Sequence, residues 1–188
     1  KIKMIQEAEK LDNLKIFSGY EEIDFVDDLT EEVEDVDLLV VVDGCEWERF
    51  TEKPEKLKTK VKKSICIDHH DSPPDVFDLS IIIPTAPSAV EIIYWLLVNE
   101  REIDKSLAEI ILLGVLGDTG NFKYVIPENI QTFDIVKRLL PLVGTNIEKF
   151  QSRYRKLSKI QFVILGELIK NTGFKKIKGW PEFQTCFL

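Results

Sequence analysis

The sequence predicts an α/β fold in which a doubly wound, mostly parallel sheet is flanked by helices and followed by a long C-terminal linker helix. Two observations indicate this class. Short apolar runs alternate with amphipathic stretches along the chain, and acidic residues stand directly after several of the runs. Because open α/β sheets place their ligand sites at the carboxyl ends of the strands, those acidic positions are where function is expected.

The predicted strands are short and strongly apolar. Residues 37–43 hold the clearest one, whose unbroken apolar run is typical of a parallel strand that is buried on both faces. Residues 64–68 form the next strand, ended by Pro73 and Pro74, and residues 79–83 form another. Upstream, residues 2–11 have a helix-like pattern, residues 14–17 resemble a strand that residues 23–25 extend or follow, and residues 30–36 form a short helix or loop.

Helices are predicted to dominate the second half of the chain. They cover residues 86–98, 104 to about 117, 129–140 and 147–170, and Asp104 or Ser106 caps the second of them. We therefore expect an α/β domain over residues 1–145 and a linker helix over residues 146–173. Residues 174–188 then begin a second domain or form a tail.

Composition narrows the classes of partner. The formal net charge of −8 should repel long duplex nucleic acid and anionic membranes, so an anionic substrate would need local neutralisation. The sequence has no apolar run of about 18 residues and no visible signal peptide, and a cytoplasmic protein is expected. Cys45, Cys66 and Cys186 form no CxxC pair, and we interpret them as reduced core thiols.

The most informative positions are Asp68, His69 and His70, which directly follow an apolar run and include both histidines of the chain. Asp43 ends the strand before them, and Asp118 ends an apolar helix. An ionised carboxylate at such a boundary is unfavourable unless it is hydrogen-bonded, paired or metal-bound. Imidazole and carboxylate together suit Mn²⁺, Fe²⁺ or Zn²⁺.

Each of these positions alone has a purely structural alternative. Asp43 before a glycine fits a turn, and Asp118 before Thr119 and Gly120 fits a helix C-terminal cap. Either histidine can be a hydrogen-bonded core residue. Found together, the positions favour a shared site.

These residues resemble the motifs of a known family. Asp43, the Asp68-His69-His70 triplet and the block from Gly114 to Phe122 are similar to motifs II, III and IV of the DHH phosphoesterase superfamily, in that order. The stretch from Ala86 to Glu91 looks like the start of the helix that follows the DHH strand in that family. The resemblance covers roughly residues 37–155.

The resemblance implies a two-metal site, usually for Mn²⁺, with Mg²⁺, Fe²⁺ or Zn²⁺ as alternatives. Asp43 would bridge both metals, and His69 and Asp118 would complete the shell of one metal. Asp68 would orient a histidine, and His70 would face the phosphate. Paired cations of this kind bind phosphoryl oxygens and activate water.

Two further residues are expected to bind substrate. Arg49 lies six residues after Asp43 and would contact phosphate, although a salt bridge with Glu46 or Glu52 is an equal alternative. Asn121 and Thr119 would hydrogen-bond around Asp118. We therefore predict Asp68, His70 and Arg49 as catalytic residues, and His70, Arg49 and Asn121 as substrate-binding residues.

Two parts of the family pattern are missing from the sequence. No strand followed by an Asp-x-Asp motif, the family's motif I, precedes Asp43, and the substrate loop of the second domain is absent. Because the chain begins with Lys1 rather than Met, we expect a truncated N-terminal segment. Natural loss of motif I is the alternative, and in either case the chain alone is expected to be inactive.

The leading hypothesis is a Mn²⁺-dependent phosphoesterase of the branch that degrades short oligoribonucleotides and 3′,5′-bisphosphonucleotides. Cyclic-dinucleotide hydrolysis is close behind it, and a pyrophosphatase or polyphosphatase is a further alternative. A catalytically incomplete module that binds nucleotides or partners is the second class, and a single-metal protein using Asp43, His69 and Asp118 is a third. A small nucleotide or short oligonucleotide is the expected partner, and a homodimer remains open.

Overall fold

The computed structural model describes residues 2–71, 76–175 and 183–186. It confirms an α/β fold with parallel sheets flanked by helices. The described strands form two separate parallel sheets and one antiparallel pair. The first parallel sheet consists of β1 (Met4–Glu7) and β2 (Ile23–Val26), and the second consists of β3 (Leu39–Val42), β4 (Ser64–Asp68) and β5 (Leu79–Ile82). The antiparallel pair consists of β6 (Thr172–Lys175) and β7 (Phe183–Cys186).

The central strand of the three-stranded sheet is β4, and its register sets the position of the site. Val42 pairs with Ile67, and Asp68 pairs with Ile82. The carboxyl ends of β3 and β4 therefore lie side by side, as expected for parallel strands. The predicted end of β4 at Pro73 and Pro74 lies outside the described residues.

The prediction that β3 is buried on both faces is wrong. Val40 and Val42 are 51% and 45% exposed, whereas Val41 is buried. Among the described strands β3 pairs with β4 alone, so it is an edge strand, and one of its faces is uncovered. An apolar run cannot by itself distinguish an edge strand of this kind from a central one.

Seven helices occur in the described part of the chain. They are α1 (Leu29–Glu32), α2 (Pro54–Lys58), α3 (Ala89–Leu97), α4 (Lys105–Asp118), α5 (Thr132–Val143), α6 (Ile147–Ser152) and α7 (Lys159–Lys170). Asp104 caps α4 by accepting a hydrogen bond from the backbone of Leu107 at 2.8 Å. None of these helices is long and apolar enough to cross a membrane.

The prediction of one long linker helix over residues 146–173 is wrong in one respect, because two helices, α6 and α7, lie in this range. Helix α6 ends at Ser152, and α7 begins after Ser158. The Ser158 hydroxyl accepts from the backbone N–H of Gln161 at 3.1 Å, and the Gln161 side-chain oxygen accepts from the backbone N–H of Ser158 at 2.9 Å. This capping box is a strong helix start and competes with a continuous helix. The domain boundaries at 145 and 173 stay predictions.

The N-terminal predictions are also corrected. Residues 4–7 of the predicted helix form β1, and residues 14–17 lie in a short 3₁₀ helix and turn instead of a strand. Residues of β1 alternate between exposed and half-buried positions, which a short window does not separate from helical periodicity. The strand expected at residues 23–25 is present as β2.

Two apolar cores support these elements. The larger one joins α3, α4, α5 and α6, with Tyr94, Leu112, Leu139 and Phe150 buried in it. The smaller one lies beside β3 and β4 around Trp47. Helix α7 adds little to either core, because Ile160, Phe162 and Ile169 are 73%, 69% and 67% exposed.

The prediction of reduced thiols is wrong for two of the three cysteines. Cys45 and Cys66 are joined in a disulfide, with their Cα atoms 5.9 Å apart. Cys66 lies on β4, and Cys45 follows β3, so the adjacent strands bring together two residues that are 21 positions apart in sequence.

Candidate metal centre

Asp43 lies at the end of β3 in a backbone conformation that non-glycine residues rarely adopt. Its φ is +63°, a region that aspartate tolerates better than most side chains. Its N–H donates to the carbonyl of Ile67 at 3.0 Å, which extends the ladder with β4 by one residue. The carboxylate is consequently turned toward the end of β4, and 46% of the side chain is exposed.

Asp68 is fully buried and accepts hydrogen bonds on both carboxylate oxygens. Oδ1 accepts from the backbone N–H groups of His69 and His70, at 2.6 and 3.0 Å, and lies 2.7 Å from His70 Nδ1. Oδ2 accepts from the backbone of Cys45 at 2.8 Å. Burial raises the pKa of Asp68, but these hydrogen bonds outweigh burial, so its pKa is lowered and it is a carboxylate at neutral pH.

His69 is oriented by the turn that precedes α3. Its Nδ1 lies 3.2 Å from the carbonyl oxygen of Ala86, which can only accept, so Nδ1 carries the proton. Nε2 is then the basic nitrogen, and it lies 3.4 Å from Asp43 Oδ1. A second hydrogen bond of this type is the usual way in which a protein fixes a metal-binding histidine.

His70 is also oriented through its Nδ1 atom, which lies 2.7 Å from the Asp68 carboxylate. Its Nδ1 is also 3.6 Å from Asp43 Oδ1, and its ring centroid is 4.4 Å from that of His69. With Nδ1 directed at Asp68, Nε2 is the nitrogen available to a ligand, and the side chain is 38% exposed. The structure thus places both histidines beside Asp43.

These four residues can present ligand atoms to one cation. One atom from each of Asp43, Asp68, His69 and His70 lies within 4.8 Å of the others. The Asp43 carboxylate and His69 Nε2 face each other as two acceptors, and a cation between them would satisfy both. Asp68 has its oxygens engaged by N–H groups, which suits a supporting carboxylate better than a direct ligand.

Asp118 is the last residue of α4 and lies outside this four-residue group. It is nevertheless close enough to interact with the group electrostatically. Burial raises its pKa, the charge of Asp43 raises it further, and His69 and His70 partly oppose both effects. A cation near Asp43 would relieve the repulsion between the two carboxylates.

Arg49 forms no ion pair with Asp43 or Asp68 among the described residues. It ends the 3₁₀ turn Trp47–Arg49, is exposed, and lines a cavity of about 360 Å³ together with Glu7 and Thr51. Neither Glu46 nor Glu52 forms a salt bridge with it in the described part of the chain, so the salt-bridge alternative is not met. The expected contact of Arg49 with phosphate stays a prediction.

Asn121 and Thr119 make contacts other than those expected. The Thr119 hydroxyl donates to the carbonyl of Val115 at 2.6 Å and accepts from the N–H of Phe122 at 3.0 Å. The Asn121 amide contacts Gln151 instead of Asp118. Both residues therefore shape the turn after α4 and do not hydrogen-bond to the Asp118 carboxylate.

The sequence did not predict Glu91 as a residue of this region. It lies in the first turn of α3, is 1% exposed, and has its two carboxylate oxygens 3.0 and 3.1 Å from the Thr132 hydroxyl. Burial raises its pKa to about 7, and the charge of Asp118 acts in the same direction. The Ser-x-x-Glu spacing from Ser88, the N-cap of α3, is a signal that could have drawn attention to it.

Fold and site together define an α/β protein with a histidine and carboxylate ligand group at the carboxyl ends of parallel strands. The sequence profile of the DHH family, N-terminal domain, matches residues 3–115. The chain belongs to the DHH family.

Two curated relatives share the family. The chain is 39% identical over 77 residues to the probable bifunctional oligoribonuclease and PAP phosphatase NrnA of Streptococcus mutans, a match covering 40% of the chain and 24% of that protein. It is 30% identical over 103 residues to the bifunctional oligoribonuclease and PAP phosphatase NrnA of Bacillus subtilis, covering 53% of the chain and 32% of that protein. The matches thus span about a quarter and a third of these relatives.

A solved structure has the same fold. An exopolyphosphatase-related protein from Bacteroides fragilis superposes with a TM-score of 0.77 at 24% identity, covering 91% of the chain and 52% of that protein. At this identity the likeness concerns the fold.

Proposed function

We propose that the chain forms the metal-binding part of a phosphoesterase that hydrolyses phosphate esters of short oligonucleotides or small nucleotides. The observation that carries the proposal is the group formed by Asp43, His69 and His70 at two adjacent strand ends, with Asp68 beneath it. The family membership and the two NrnA relatives support the same class of substrate.

The residues present fit a divalent cation. His69 directs its basic nitrogen at Asp43, and Asp118 adds a second carboxylate whose pKa is raised partly by the first. Mn²⁺ accepts this mixture of imidazole and carboxylate ligands. Bound there, the cation would polarise a phosphoryl oxygen and make a nearby water molecule more acidic.

The side chains of the site have separate tasks in this proposal. Asp43, His69 and Asp118 hold the cation, and Asp68 keeps His70 in one orientation through the 2.7 Å contact with Nδ1. With Nδ1–H directed at Asp68, a protonated His70 would donate from Nε2–H to a phosphoryl or leaving-group oxygen. Arg49 and Asn121 are proposed to contact parts of the substrate farther from the reacting phosphate.

The cation also accounts for anion binding by an acidic chain. With a net charge of −8, the whole-chain field opposes a phosphate, whereas a divalent cation reverses the sign of the potential locally. A short oligonucleotide needs only this local reversal, while a long duplex would extend over the acidic surface.

The test is a substrate panel of pAp, pApA, cyclic di-AMP and pyrophosphate with Mn²⁺. It is run on the protein expressed from its full reading frame and, in parallel, on the 188-residue chain. We expect the complete protein to hydrolyse a nucleotide substrate and His69→Ala to abolish turnover, whereas Glu46→Gln, which changes an exposed carboxylate in the loop after Asp43, retains it. Unchanged pApA turnover in His69→Ala would reject the proposal.

A second candidate is a nucleotide-binding module without hydrolysis. It is favoured by one observation: the described residues provide a single group that mixes imidazole and carboxylate, instead of the two adjoining groups that a two-metal site requires. Binding of pApA in the presence of Mn²⁺ by the complete protein, with no product formed, would select this alternative.

A further inference from the structure

The turn that follows Asp118 has an unusual backbone. Gly120, Asn121 and Phe122 all have positive φ, at 55°, 62° and 70°. The N–H of Asn121 donates to Leu116 at 2.9 Å, which ties the turn to α4. Two successive non-glycine residues in this region are strained, and such a turn persists only where surrounding contacts fix it. The backbone from which the side chains of this turn project is therefore fixed directly after Asp118.

Tyr124 is one of these side chains. Its N–H donates to the carbonyl of Thr119 at 3.0 Å, and its ring packs over Gly120 so closely that a Cβ atom there would lie 2.5 Å from Cε2. The side chain is nevertheless 61% exposed. Lys123 Nζ lies 5.5 Å from the ring centroid. An aromatic ring that is fixed on one face and open to solvent elsewhere can stack on a nucleobase.

Arg155 brings a cation to the same turn. When the Asn121 amide is oriented with its oxygen toward Arg155, that oxygen accepts from Nη1 and Nη2, both at 3.1 Å. Within the described residues no carboxylate lies within 4 Å of this guanidinium, and the side chain is exposed. Arg153, two residues earlier, differs because it pairs with Glu109 at 2.7 and 3.3 Å.

We propose that Tyr124, Arg155 and Asn121 form a subsite for a second nucleotide unit of the substrate. Tyr124 stacks on the base, and Arg155 with the Asn121 amide binds a phosphate adjacent to the one that is hydrolysed. A guanidinium has five N–H donors, so two can remain on Asn121 while others bind phosphate oxygens. This inference rests on the proposed function and specifies its substrate as a molecule with at least two phosphates and a base.

The test compares two substrates of the protein expressed from its full reading frame, in Mn²⁺. One is pApA, and the other is bis(p-nitrophenyl) phosphate, which has one phosphate and no base. For Arg155→Ala and Tyr124→Ala we expect the KM for pApA to rise about tenfold, with kcat changed less, as for the loss of one stacking or phosphate contact. The effect on bis(p-nitrophenyl) phosphate should be much smaller.

Two variants sharpen the comparison. Tyr124→Phe retains the ring and should restore the KM for pApA toward that of the wild type. Lys156→Ala removes an exposed cation next to Arg155 and should leave both substrates unaffected, which separates a specific contact from the general loss of positive charge.

Three outcomes would overturn the subsite without rejecting the proposed function. The first is an unchanged KM for pApA in Arg155→Ala and Tyr124→Ala. The second is an equal rise for both substrates, which would indicate a structural role of the turn or a surface for a protein partner. The third is an equal rise in Lys156→Ala. If the wild type hydrolyses neither substrate, the proposed function fails and the subsite fails with it.

Discussion

His69 Nε2 lies 3.4 Å from Asp43 Oδ1, across the ends of two adjacent parallel strands. This distance is too long for a good N–H···O bond, and the Nδ1 proton is already directed at the Ala86 carbonyl. When His69 is neutral with its proton on Nδ1, the two atoms are both acceptors and repel each other at close range. A shared cation turns this repulsion into attraction, so the pair is the most direct evidence for a metal-binding arrangement in the chain.

The first prediction concerns this pair. His69→Ala removes the imidazole ligand, and we expect Mn²⁺ affinity to fall by a factor of about ten or more, as for the loss of a ligand or its support. The fold should persist because His69 is at a strand exit, outside both apolar cores. Calorimetric titration with Mn²⁺ and thermal unfolding measure both quantities. Equal Mn²⁺ affinity in His69→Ala and in the control Glu46→Gln would contradict the assignment.

The second prediction separates support from ligation at Asp68. In Asp68→Asn, one carboxylate oxygen becomes an NH₂ group that faces N–H donors in a fully buried position. We expect the free energy of unfolding to fall by about 3 kcal/mol, because a buried hydrogen bond to a charged group is lost. Urea unfolding measures this loss in the presence of a chelator. Wild-type stability together with lost Mn²⁺ binding would instead make Asp68 a simple ligand.

The strand-end part of the site was predictable because it depends on local chain direction. Once residues 39–42 and 64–68 are identified as parallel strands, Asp43 and the residues after Ile67 must lie at one edge. The alternation of buried and half-buried residues along β4 then places Asp68 inward. No long-range information is needed beyond the pairing of two consecutive strands.

Other features were not predictable because they depend on tertiary contacts between distant segments. The Asn121 amide contacts Gln151, 30 residues later, so its expected bond to Asp118 does not form. Cys45 and Cys66 meet only through the strand register, which single-sequence patterns do not reveal. Ser158 and Gln161 have the spacing of a capping box and so indicate a helix start before α7. The amphipathic pattern continues across this position and therefore favours one uninterrupted helix.

The third prediction is a pH dependence from Glu91. Its pKa in the folded chain is raised from 4.5 to about 7, so the folded state binds this proton more tightly than the unfolded chain does. The stabilisation is complete below pH 4.5 and is lost as the pH rises through 7. Relative to Glu91→Gln, the wild type should lose about 3 kcal/mol of unfolding free energy across this range.

Hydrogen bonds donated by the Thr132 hydroxyl lower the pKa of Glu91, but burial outweighs them. The Thr132 hydroxyl also lies 2.9 Å from the carbonyl oxygen of Asn129, and it has one proton to donate. If that proton goes to Asn129, the hydroxyl accepts from a protonated Glu91. Urea unfolding from pH 4.5 to 8, with a chelator present, tests this. Parallel pH profiles for the wild type and Glu91→Gln would show that Glu91 does not titrate in this range.

The fourth prediction concerns the disulfide between Cys45 and Cys66. It closes a loop with a sequence separation of 21, and chain entropy predicts a contribution of about 3 kcal/mol to stability. Reductant should therefore lower the midpoint of urea unfolding for the wild type but not for the double variant Cys45→Ala/Cys66→Ala. Peptide mapping after alkylation provides a second measurement. Alkylation of both cysteines without reductant would show that the bond does not form in the isolated protein.

The fifth prediction compares two glycines of α4. A Cβ atom at Gly114 would lie 2.8 Å from Cγ1 of Val90 on α3, whereas one at Gly117 would have no heavy atom within 4 Å. Both positions are helical, so an alanine changes the backbone entropy in the same direction at each. The difference between the variants therefore isolates the close approach of α3 and α4.

Gly117→Ala should stabilise the chain by about 0.5 kcal/mol, since alanine is the better helix former. Gly114→Ala should destabilise it by about 1–3 kcal/mol, because the added methyl group must push Val90 and with it the first turn of α3. That turn follows the Ala86 carbonyl that orients His69, so Mn²⁺ affinity should also decrease in Gly114→Ala alone. Equal stabilities of the two variants would mean that α3 moves without cost and that the Gly114 contact does not position the site.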